Sequence, residues 1–228
     1  TNKMRRIKNV LIPFTHRSDY NLVYPVIKAL ENKGIKVHIL VTGPYASEQI
    51  GHSKKYFEKD RITVEFTVHT ELKKFDRLEM ADNLSTIIKE SARILTKLKP
   101  DFVYIQGDRM ESLGITLAAA YLHIPMSQAH AGEITSGGHI DDLTRHVITR
   151  YASLIFTATQ QARQRAITMG EEERRVFYVG APGLDSILIR KATPLNELVK
   201  KYDIPGKYGI LIQHSITGKE DRTKHDIK

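Results

Sequence analysis

The amino-acid sequence predicts an α/β fold, a doubly wound parallel sheet of the Rossmann-like kind. Short apolar runs alternate with longer segments whose apolar residues recur at helical spacing, and this pattern continues through most of the chain. No internal repeat or low-complexity tract interrupts the pattern. Because parallel strands need a crossover between them, usually a helix, the alternation indicates successive βαβ units.

The strands of the predicted sheet are short segments of mostly apolar residues. Strands are expected at Asn9–Phe14, Val37–Val41, Val64–Val68, Phe102–Ile105, Pro125–Ala129, Leu154–Thr157 and Val176–Val179. The segments between them predict helices at Leu22–Leu30, Leu84–Leu98, Glu111–Tyr121, Asp141–Ala152 and Gln160–Met169. Gly34 and Pro100 end the first two helices, because glycine and proline commonly follow a helix C-terminus.

The C-terminal part of the chain differs in composition from the rest. Residues 1–187 are expected to form one Rossmann-like lobe. Residues 188–207 are polar and charged and contain Pro194 and Pro205, so they predict a crossover between lobes. Residues 208–228 begin with a strand-like run and then lack core-forming residues. We expect them to begin a second lobe that the chain does not complete.

Composition and charge exclude several classes of function. The chain has no cysteine, which excludes disulfides, thiolate metal sites and a cysteine nucleophile. Its net charge is +9, but the basic residues are spread along the chain and no basic helix is interleaved with aromatics. This distribution disfavours nucleic acid as a partner and fits an anionic, phosphorylated substrate better.

No apolar run is long enough to cross a membrane and residues 1–8 lack a signal-peptide pattern, so we expect a cytoplasmic protein without a membrane partner.

Polar or glycine-rich segments directly follow four of the predicted strands. These segments are Thr15–Tyr20, Gln106–Arg109, His130–Glu133 and Gly180–Gly183. In an open parallel sheet, ligands bind beyond the carboxyl ends of the strands. The sequence therefore predicts a binding site where the four segments meet.

Charged residues in two of these segments have alternative interpretations. Arg17 stands where a helix should begin, so it can bind a phosphate together with the helix N-terminus, or form a surface ion pair with Asp19. Asp108 precedes a helix, so it can cap that helix or act as an acid/base group, and Arg109 can counter its charge. Local sequence leaves both choices open.

The segment from His130 to His146 contains the densest cluster of reactive side chains. Its carboxylates and imidazoles belong to Glu133, Asp141, Asp142, His130, His139 and His146. Adjacent carboxylates raise one another's pKa, which suits proton transfer, and we expect this of Asp141 and Asp142. Arg145 lies one turn further along the same predicted helix, within reach of these carboxylates.

A metal site is the alternative interpretation of this cluster, but the spacing does not favour it. No His-x-x-x-His or comparable ligand pairing is present. The sequence also lacks a P-loop, a nucleophile elbow and a complete dinucleotide fingerprint. We therefore predict a site without a metal and without a cofactor.

Taken in order along the chain, the motifs resemble those of the hydrolysing UDP-N-acetylglucosamine 2-epimerases. They are Arg17-Ser18-Asp19-Tyr20, Gln106-Gly107-Asp108-Arg109, His130-Ala131-Gly132-Glu133, Ile140-Asp141-Asp142 with Arg145-His146, and Val179-Gly180-Ala181-Pro182-Gly183-Leu184-Asp185. Each motif is weak alone, but together they keep the family's order and cover nearly the whole chain.

The resemblance implies a fold and a reaction. The fold is the first lobe of a two-lobed, glycosyltransferase-B-like protein whose active site lies between the lobes. The reaction converts UDP-N-acetylglucosamine, or a related UDP-2-acetamido sugar, to UDP and an N-acetylmannosamine-type sugar. It proceeds by proton removal at C2, loss of UDP and addition of water, and it needs no cofactor. The implied partners are the UDP-sugar and further copies of the chain in a homo-oligomer, either a dimer or a tetramer.

The resemblance also implies a role for each candidate residue. The acid/base group comprises Asp108, His130, Glu133, Asp141 and Asp142. The substrate-binding group comprises Arg17, Asp19, Arg109, Arg145, His146, Gly180 and His214. Many family members have glutamate at the position of His130, so either His130 or Glu133 can take that proton-transfer role. Because most of the second lobe is missing, the 228-residue chain alone is expected to bind UDP weakly and to turn over slowly or not at all.

Several functional alternatives remain beside this interpretation. A non-hydrolysing 2-epimerase would return UDP-N-acetylmannosamine, and the stretch from Asp141 to His146 favours the hydrolysing branch over it. A hydrolysing epimerase for a 2,4-diacetamido trideoxy sugar would use the same residues. A truncated, non-catalytic nucleotide-sugar-binding remnant belongs to another class, and a glycosyltransferase would need an acceptor site that the sequence does not indicate.

Overall fold

The computed structural model of the protein describes residues 6–46, 54–70, 77–135, 140–190, 192–204 and 206–211. The strands in this part are β1 (Asn9–Phe14), β2 (Lys36–Thr42), β3 (Val64–Val68), β4 (Phe102–Gln106), β5 (Met126–Ala129), β6 (Leu154–Thr157) and β7 (Val176–Tyr178). The helices are α1 (Asp19–Asn32), α2 (Lys54–Lys59), α3 (Arg77–Leu98), α4 (Met110–Tyr121), α5 (Ile140–Tyr151), α6 (Gln160–Thr168), α7 (Pro182–Ile189) and α8 (Leu195–Tyr202). Short 3₁₀ turns occur at Gly43–Ala46 and Glu173–Arg175.

The described strands form one parallel sheet of seven strands in the order β3-β2-β1-β4-β5-β6-β7. Each strand pairs in parallel with its neighbours. From β1 the chain first builds the sheet outward through β2 and β3, and then returns to build the other half from β4 onward. The order therefore reverses between β1 and β4, which confirms the predicted doubly wound class.

Alternate residues of β1 enter two different hydrophobic clusters. Ile12 and Phe14 pack in a cluster that includes Tyr20 of α1 and Phe57 of α2. Leu11 belongs instead to a cluster with residues of α3, α4 and α5. Because successive side chains of a strand point to opposite faces, helices cover the sheet on both sides of β1. A strand buried on both faces reads as a continuous apolar run, which is why β1 was predictable.

Two helices begin several residues earlier in the structure than the sequence predicts. α1 begins at Asp19 rather than at Leu22, and α3 begins at Arg77 rather than at Leu84. Most residues in the first two turns of α3 are exposed or only partly buried, so apolar spacing does not mark them. In α1, Asp19 and Tyr20 are buried, but one apolar residue beside a carboxylate gives no repeating pattern. Helices α2, α7 and α8 were not predicted, because at 6, 8 and 8 residues they are too short for a periodic pattern to stand out.

The chain divides into two compact units, Thr1–Ile189 and Arg190–Lys228. The second unit includes α8, which lies in the stretch predicted to be a crossover. Residues 208–211 are not in a strand, contrary to the prediction, and the rest of that predicted strand lies outside the described residues. In the described part of the chain, no helix combines the length and apolarity that a membrane span requires.

The last helix of the first unit, α7, packs against α1 around a proline. Pro25 lies inside α1, and proline has no N–H to donate to the carbonyl four residues earlier, which belongs to Asn21. The hydroxyl of Ser186 in α7 donates a hydrogen bond to this carbonyl. Gly183 of α7 also lies so close to Leu22 that an added Cβ would come within 2.6 Å of its Cδ2. The helix pair thus satisfies a backbone group that the proline leaves without its usual partner.

Candidate active site

A cleft of about 270 Å³ lies at the carboxyl ends of β1 and β4. It is lined by Thr15, His16, Ser18, Asp19, Leu22, Gln106, Gly107, Asp108, Arg109, His130, Glu133 and Asp141. β1 and β4 are the neighbouring strands at which the strand order reverses. A crevice forms at such a position because the loops after the two strands run in opposite directions.

The loop between β1 and α1 is held by the carboxylate of Asp19. Its Oδ2 accepts hydrogen bonds from the N–H of Thr15 at 2.9 Å, the hydroxyl of Thr15 at 3.0 Å and the N–H of His16 at 2.8 Å. Burial raises the pKa of Asp19 above its ordinary value, and these donors oppose the rise. The Asp19 carboxylate therefore holds the loop that forms the cleft wall. Its predicted role in substrate binding would have to be combined with this structural role.

His16 faces the cleft from the same loop. Its Nδ1 lies 2.9 Å from the hydroxyl of Ser18 and accepts a hydrogen bond from the N–H of Ser18 at 3.3 Å. Burial lowers the pKa of His16, and the positive charges of Arg109 and Arg17 lower it further. A neutral imidazole at neutral pH follows, with its proton on Nε2 because Nδ1 is an acceptor.

Arg145 of α5 joins two of the predicted acid/base residues. One of its terminal nitrogens is hydrogen-bonded to Oδ2 of Asp108, and the other donates to Oδ1 of Asp142 at 2.6 Å and to the carbonyl of Glu133 at 2.8 Å. The Arg145 side chain is only 7% exposed. A buried guanidinium needs such acceptors because an unpaired charge away from water is costly. Arg145 thereby links the β4–α4 loop, the loop after β5 and the start of α5.

The buried side-chain amide of Gln128 also connects the β4–α4 loop to α5. Its Nε2 donates to the carbonyl of Arg145 at 3.0 Å and to the carbonyl of Gly107 at 3.3 Å. Its Oε1 accepts from the hydroxyl of Thr149 at 2.5 Å. Because Gln128 lies on β5 between β4 and β6, the sheet itself sets the spacing between Gly107 and α5.

Asp142 is ionised more readily than an ordinary aspartate, contrary to the expectation from its neighbour Asp141. Burial works against ionisation, but the N–H of Thr135, 3.0 Å from both carboxylate oxygens, and the guanidinium of Arg145 outweigh it and lower the pKa of Asp142. The predicted rise in the pKa of Asp142 is therefore wrong. Adjacent residues of a helix point in different directions, so Asp141 lines the cleft while Asp142 anchors the loop.

His130 and Glu133 form one hydrogen-bonded pair. Nδ1 of His130 lies 3.0 Å from Oε1 of Glu133, and this hydrogen bond, more than any other contact, lowers the pKa of Glu133. An ionised carboxylate only accepts hydrogen bonds, so Nδ1 carries the proton. The Glu133 side chain is 38% exposed and that of His130 is 18% exposed. Glu133 is thus the more accessible member of the pair; among the described atoms, Nε2 of His130 is buried and has no hydrogen-bond partner.

The backbone around Gly132 explains how the pair is presented. His130 has φ +58° and Gly132 has φ +73°, so the chain turns sharply after β5. A Cβ at Gly132 would lie 2.2 Å from the carbonyl oxygen of Ala162, which only glycine tolerates. The guanidinium of Arg165 donates to the Gly132 carbonyl. α6 therefore holds this loop in place from behind the cleft.

The predicted site residues divide between the cleft and its surroundings. Those that line the cleft are Asp19, Asp108, Arg109, His130, Glu133 and Asp141. Arg145 and Asp142 support them from outside the lining, and Arg17, His146 and Gly180 are not among the residues that line the described cleft. Arg17 is exposed, and the Nδ1 atom of His146 is buried without a partner among the described atoms. His139 and His214 lie outside the described residues.

Several cleft residues were not among the predicted site residues. They are Thr15, His16, Ser18, Leu22, Gln106 and Gly107. All of them except Leu22 belong to the strand-end segments that were expected to meet at the site, but none had been assigned a role. Among the described residues, no group of three or more His, Asp or Glu side chains is arranged to hold a metal ion.

Comparison with known proteins identifies the family of the chain. Residues 28–227 match the family profile described as UDP-N-acetylglucosamine 2-epimerase. The chain belongs to the UDP-N-acetylglucosamine 2-epimerase family. Of the strand-end motifs that resemble this family, those that follow β1, β4 and β5 contribute residues to the described cleft.

Two curated relatives illustrate the match within the epimerase family. The chain is 30% identical over 221 residues to the UDP-N,N'-diacetylbacillosamine 2-epimerase (hydrolyzing) of Legionella pneumophila, covering 96% of this chain and 58% of that protein. It is 28% identical over 215 residues to the UDP-N-acetylglucosamine 2-epimerase of Neisseria meningitidis, covering 92% of this chain and 55% of that protein. The chain therefore spans somewhat more than half the length of these epimerases.

Solved epimerase structures share the fold. The UDP-GlcNAc 2-epimerase of Methanocaldococcus jannaschii superposes with a TM-score of 0.69 at 25% identity, covering 79% of this chain and 47% of that one. The Neisseria meningitidis epimerase bound to UDP-GlcNAc superposes with a TM-score of 0.70 at 19% identity, covering 86% of this chain and 51% of that one. The chain thus corresponds to about half of each of these two structures.

Proposed function

We propose that the protein is a hydrolysing 2-epimerase that converts a UDP-2-acetamido sugar to UDP and the C2-inverted sugar. The observation that carries the proposal is the cleft at the β1–β4 switch point, where Asp108, Glu133 and Asp141 come together from three separate chain segments. Epimerisation at C2 needs groups that remove a proton from one face and return it to the other. Several carboxylates around one crevice are suited to this work. Because the chain spans 58% of its Legionella relative, the activity is proposed for the whole protein.

The residues divide the reaction as follows. A cleft carboxylate takes the proton from C2 while the C1–O bond to UDP breaks, which leaves a double bond between C1 and C2. Water then supplies the hydroxyl at C1, and a proton returns to the opposite face of C2. The net reaction consumes the UDP-sugar and one water and releases UDP and the sugar. We assign the first carboxylate to Asp108, which Arg145 holds through one oxygen.

The second acid/base position is assigned to Glu133. Its side chain is more accessible than that of His130, while His130 orients it through Nδ1. In this assignment Glu133 exchanges the proton and His130 orients the Glu133 carboxylate, so the two residues have different roles. Asp141, at the start of α5, is the remaining cleft carboxylate and is assigned to the water-addition step. Asp142 anchors the loop instead of exchanging protons.

The choice of the hydrolysing reaction and the choice of candidate sugar rest on different observations. The sequence from Asp141 to His146 resembles the hydrolysing branch. The Legionella pneumophila relative is named a hydrolysing 2-epimerase for UDP-N,N'-diacetylbacillosamine. The Campylobacter jejuni relative, at 28% identity, is named a hydrolysing 2-epimerase for GDP/UDP-N,N'-diacetylbacillosamine. UDP-N,N'-diacetylbacillosamine is therefore the second candidate substrate beside UDP-N-acetylglucosamine.

Product analysis tests this proposal. The full-length protein is incubated with each UDP-sugar in D₂O, and the products are separated by anion exchange and examined by NMR. Release of UDP together with a C2-deuterated, C2-inverted sugar is the expected result. Recovery of an intact C2-inverted UDP-sugar would point to the non-hydrolysing reaction and overturn the proposal.

Variants of the cleft carboxylates test the assigned roles. Asp108→Asn, Glu133→Gln and Asp141→Asn are each expected to slow UDP release by about a hundredfold or more, because each removes an acid/base group. Asp82→Asn is the matched control, since Asp82 is an exposed aspartate on α3. Wild-type rates in the three cleft variants would show that the proton chemistry lies elsewhere.

A further inference from the structure

A buried carboxylate beside the cleft has no part in the reaction described above. Glu111 lies in the first turn of α4, and its side chain is only 1% exposed. A negative charge near a helix N-terminus is favoured, but a buried carboxylate also needs a direct partner. That partner is Arg109, whose Nε donates to Oε2 of Glu111 at 3.2 Å. Arg109 itself lines the cleft, and its side chain is 37% exposed.

The end of β2 encloses the same carboxylate from the other side. Gly43 follows β2 directly and has φ +63°. A Cβ built on Gly43 would lie 2.5 Å from Oε1 of Glu111 and 3.0 Å from its Cγ and Cδ. The backbone of residue 43 therefore approaches the carboxylate so closely that a larger residue would displace it. One oxygen of Glu111 faces Gly43 and the other faces Arg109.

We propose that Glu111 is a positioning residue, which fixes the guanidinium of Arg109 for an anionic group in the cleft. A guanidinium is planar, so directing its Nε–H at Glu111 sets the plane in which the terminal N–H groups lie. Those terminal groups bind phosphate oxygens well when they are held in advance, because less side-chain entropy is lost on binding. The anion is the diphosphate of the UDP-sugar, and this assignment rests on the function proposed above.

Gly43 helps to position the Glu111 carboxylate, although it does not line the described cleft. Replacing it with alanine would leave Arg109 and Glu111 chemically unchanged but would move the carboxylate. Gly34 provides a matched control, because it has a similar left-handed φ of +71° and no heavy atom within 4 Å of an added Cβ. A difference between Gly43→Ala and Gly34→Ala therefore reports the displaced carboxylate rather than the backbone conformation.

The first experiment needs no substrate. The Nε–H of Arg109 is observed by ¹⁵N NMR, assigned through its loss in Arg109→Lys, and its exchange with solvent is measured. The hydrogen bond to Glu111 should slow exchange about tenfold relative to Glu111→Leu and Gly43→Ala, as a charge-assisted hydrogen bond predicts. Gly34→Ala should exchange like the wild type. Equal exchange in the wild type and in Glu111→Leu would overturn the proposal.

The second experiment separates positioning from general stability. In the full-length protein, Glu111→Leu and Gly43→Ala should raise KM for the UDP-sugar about tenfold, whereas Glu111→Gln, which keeps an acceptor oxygen, should raise it less. In the Arg109→Ala background, Glu111→Leu should have little further effect on KM, because the residue acts through Arg109. Additive effects of the two substitutions would contradict the proposal.

The two experiments distinguish the inference from the proposed function. If the wild-type protein releases no UDP from any UDP-2-acetamido sugar, the proposed function fails, and the exchange measurement still decides whether Glu111 holds Arg109. If UDP is released but KM is the same in Glu111→Leu and in the wild type, the inference fails and the proposed function stands.

Discussion

The guanidinium of Arg145 is hydrogen-bonded to the carboxylate of Asp108, although the two residues are 37 positions apart in the chain. The same guanidinium binds Asp142 one turn earlier on its own helix. One buried cation therefore sets the distance between the β4–α4 loop and the start of α5. The Asp108 carboxylate and Asp141, which belong to these two segments, owe their common position at the cleft to this contact.

Arg145→Met should destabilise the protein strongly. It leaves the carboxylates of Asp108 and Asp142 near each other without their shared cation, so the free energy of unfolding should fall by about 3 kcal/mol. Arg145→Lys keeps the charge but cannot reach all the acceptors at once, so its loss should be smaller. Urea denaturation at neutral pH measures both. Arg93→Met is the control, because the exposed Arg93–Glu90 pair on α3 should contribute less than about 0.5 kcal/mol. An equal loss of unfolding free energy in Arg145→Met and Arg93→Met would contradict the role of Arg145 as the shared cation.

The contribution of Asp142 to stability should depend on pH. The folded-state pKa of Asp142 lies below its ordinary value, so the ionised carboxylate stabilises the fold at every pH above that ordinary value. This contribution is lost as the pH falls through the lower, folded-state pKa. Asp142→Asn should therefore cost about 2 kcal/mol near neutrality, and the difference from wild type should shrink below about pH 4. Urea denaturation at a series of pH values checks this, and a difference that does not vary with pH would contradict it.

Gly132→Ala should be much more costly than substitution of an unobstructed glycine. The added Cβ would meet the carbonyl oxygen of Ala162, which is backbone and cannot move aside cheaply, and φ is positive. Steric overlap and backbone strain together should lower the free energy of unfolding by about 3 kcal/mol. Gly180→Ala, with φ +79° and nothing within 4 Å, carries the strain alone and should cost about 1 kcal/mol. Similar thermal or urea midpoints for the two variants would show that α6 does not hold the loop.

The hydroxyl of Ser186 should matter mainly because of Pro25. Ser186→Ala removes the donor to the Asn21 carbonyl and should cost about 1 kcal/mol. In the Pro25→Ala background, the restored N–H of residue 25 can donate to the same carbonyl, so Ser186→Ala should then cost less. A double-mutant cycle by urea denaturation measures this coupling. A cost of Ser186→Ala that is the same in both backgrounds would mean that the hydroxyl serves another purpose.

The fold was largely predictable because the strands carry an unambiguous signal. β1, β3 and β6 have the predicted bounds. β1 is a compact apolar run because it is buried in the sheet, whereas β3, at the edge of the sheet, alternates apolar and polar residues. The helices with an apolar face were also found. The short helix α7 was missed because its large apolar residues are mostly exposed and its contact with α1 depends on Ser186 and Gly183. A local sequence pattern cannot predict this contact, because Ser186 and Asn21 are 165 positions apart in the chain.

The candidate site was predictable in place but not in detail. Asp108 and Glu133 were expected at one edge of the sheet because each closely follows a strand, and Asp141 was expected beside them because it belongs to the same reactive cluster as Glu133. All three line one cleft. Sequence spacing also suggested that Asp142 behaves like Asp141. It does not, because its carboxylate is bound by Thr135 and Arg145, and those contacts exist only after the loop has folded back onto α5.

The amino-acid sequence by itself determined the order of strands and helices, the α/β class and the set of polar residues that follow the strands. These properties depend on local periodicity and on the rule that parallel strands end at a common edge. Tertiary structure alone decided which charged groups bind each other: Arg145 with Asp108, His130 with Glu133, and Arg109 with Glu111. The ionisation and orientation of a side chain depend on burial and on neighbouring charges within a few ångströms, and the folded sheet sets those distances.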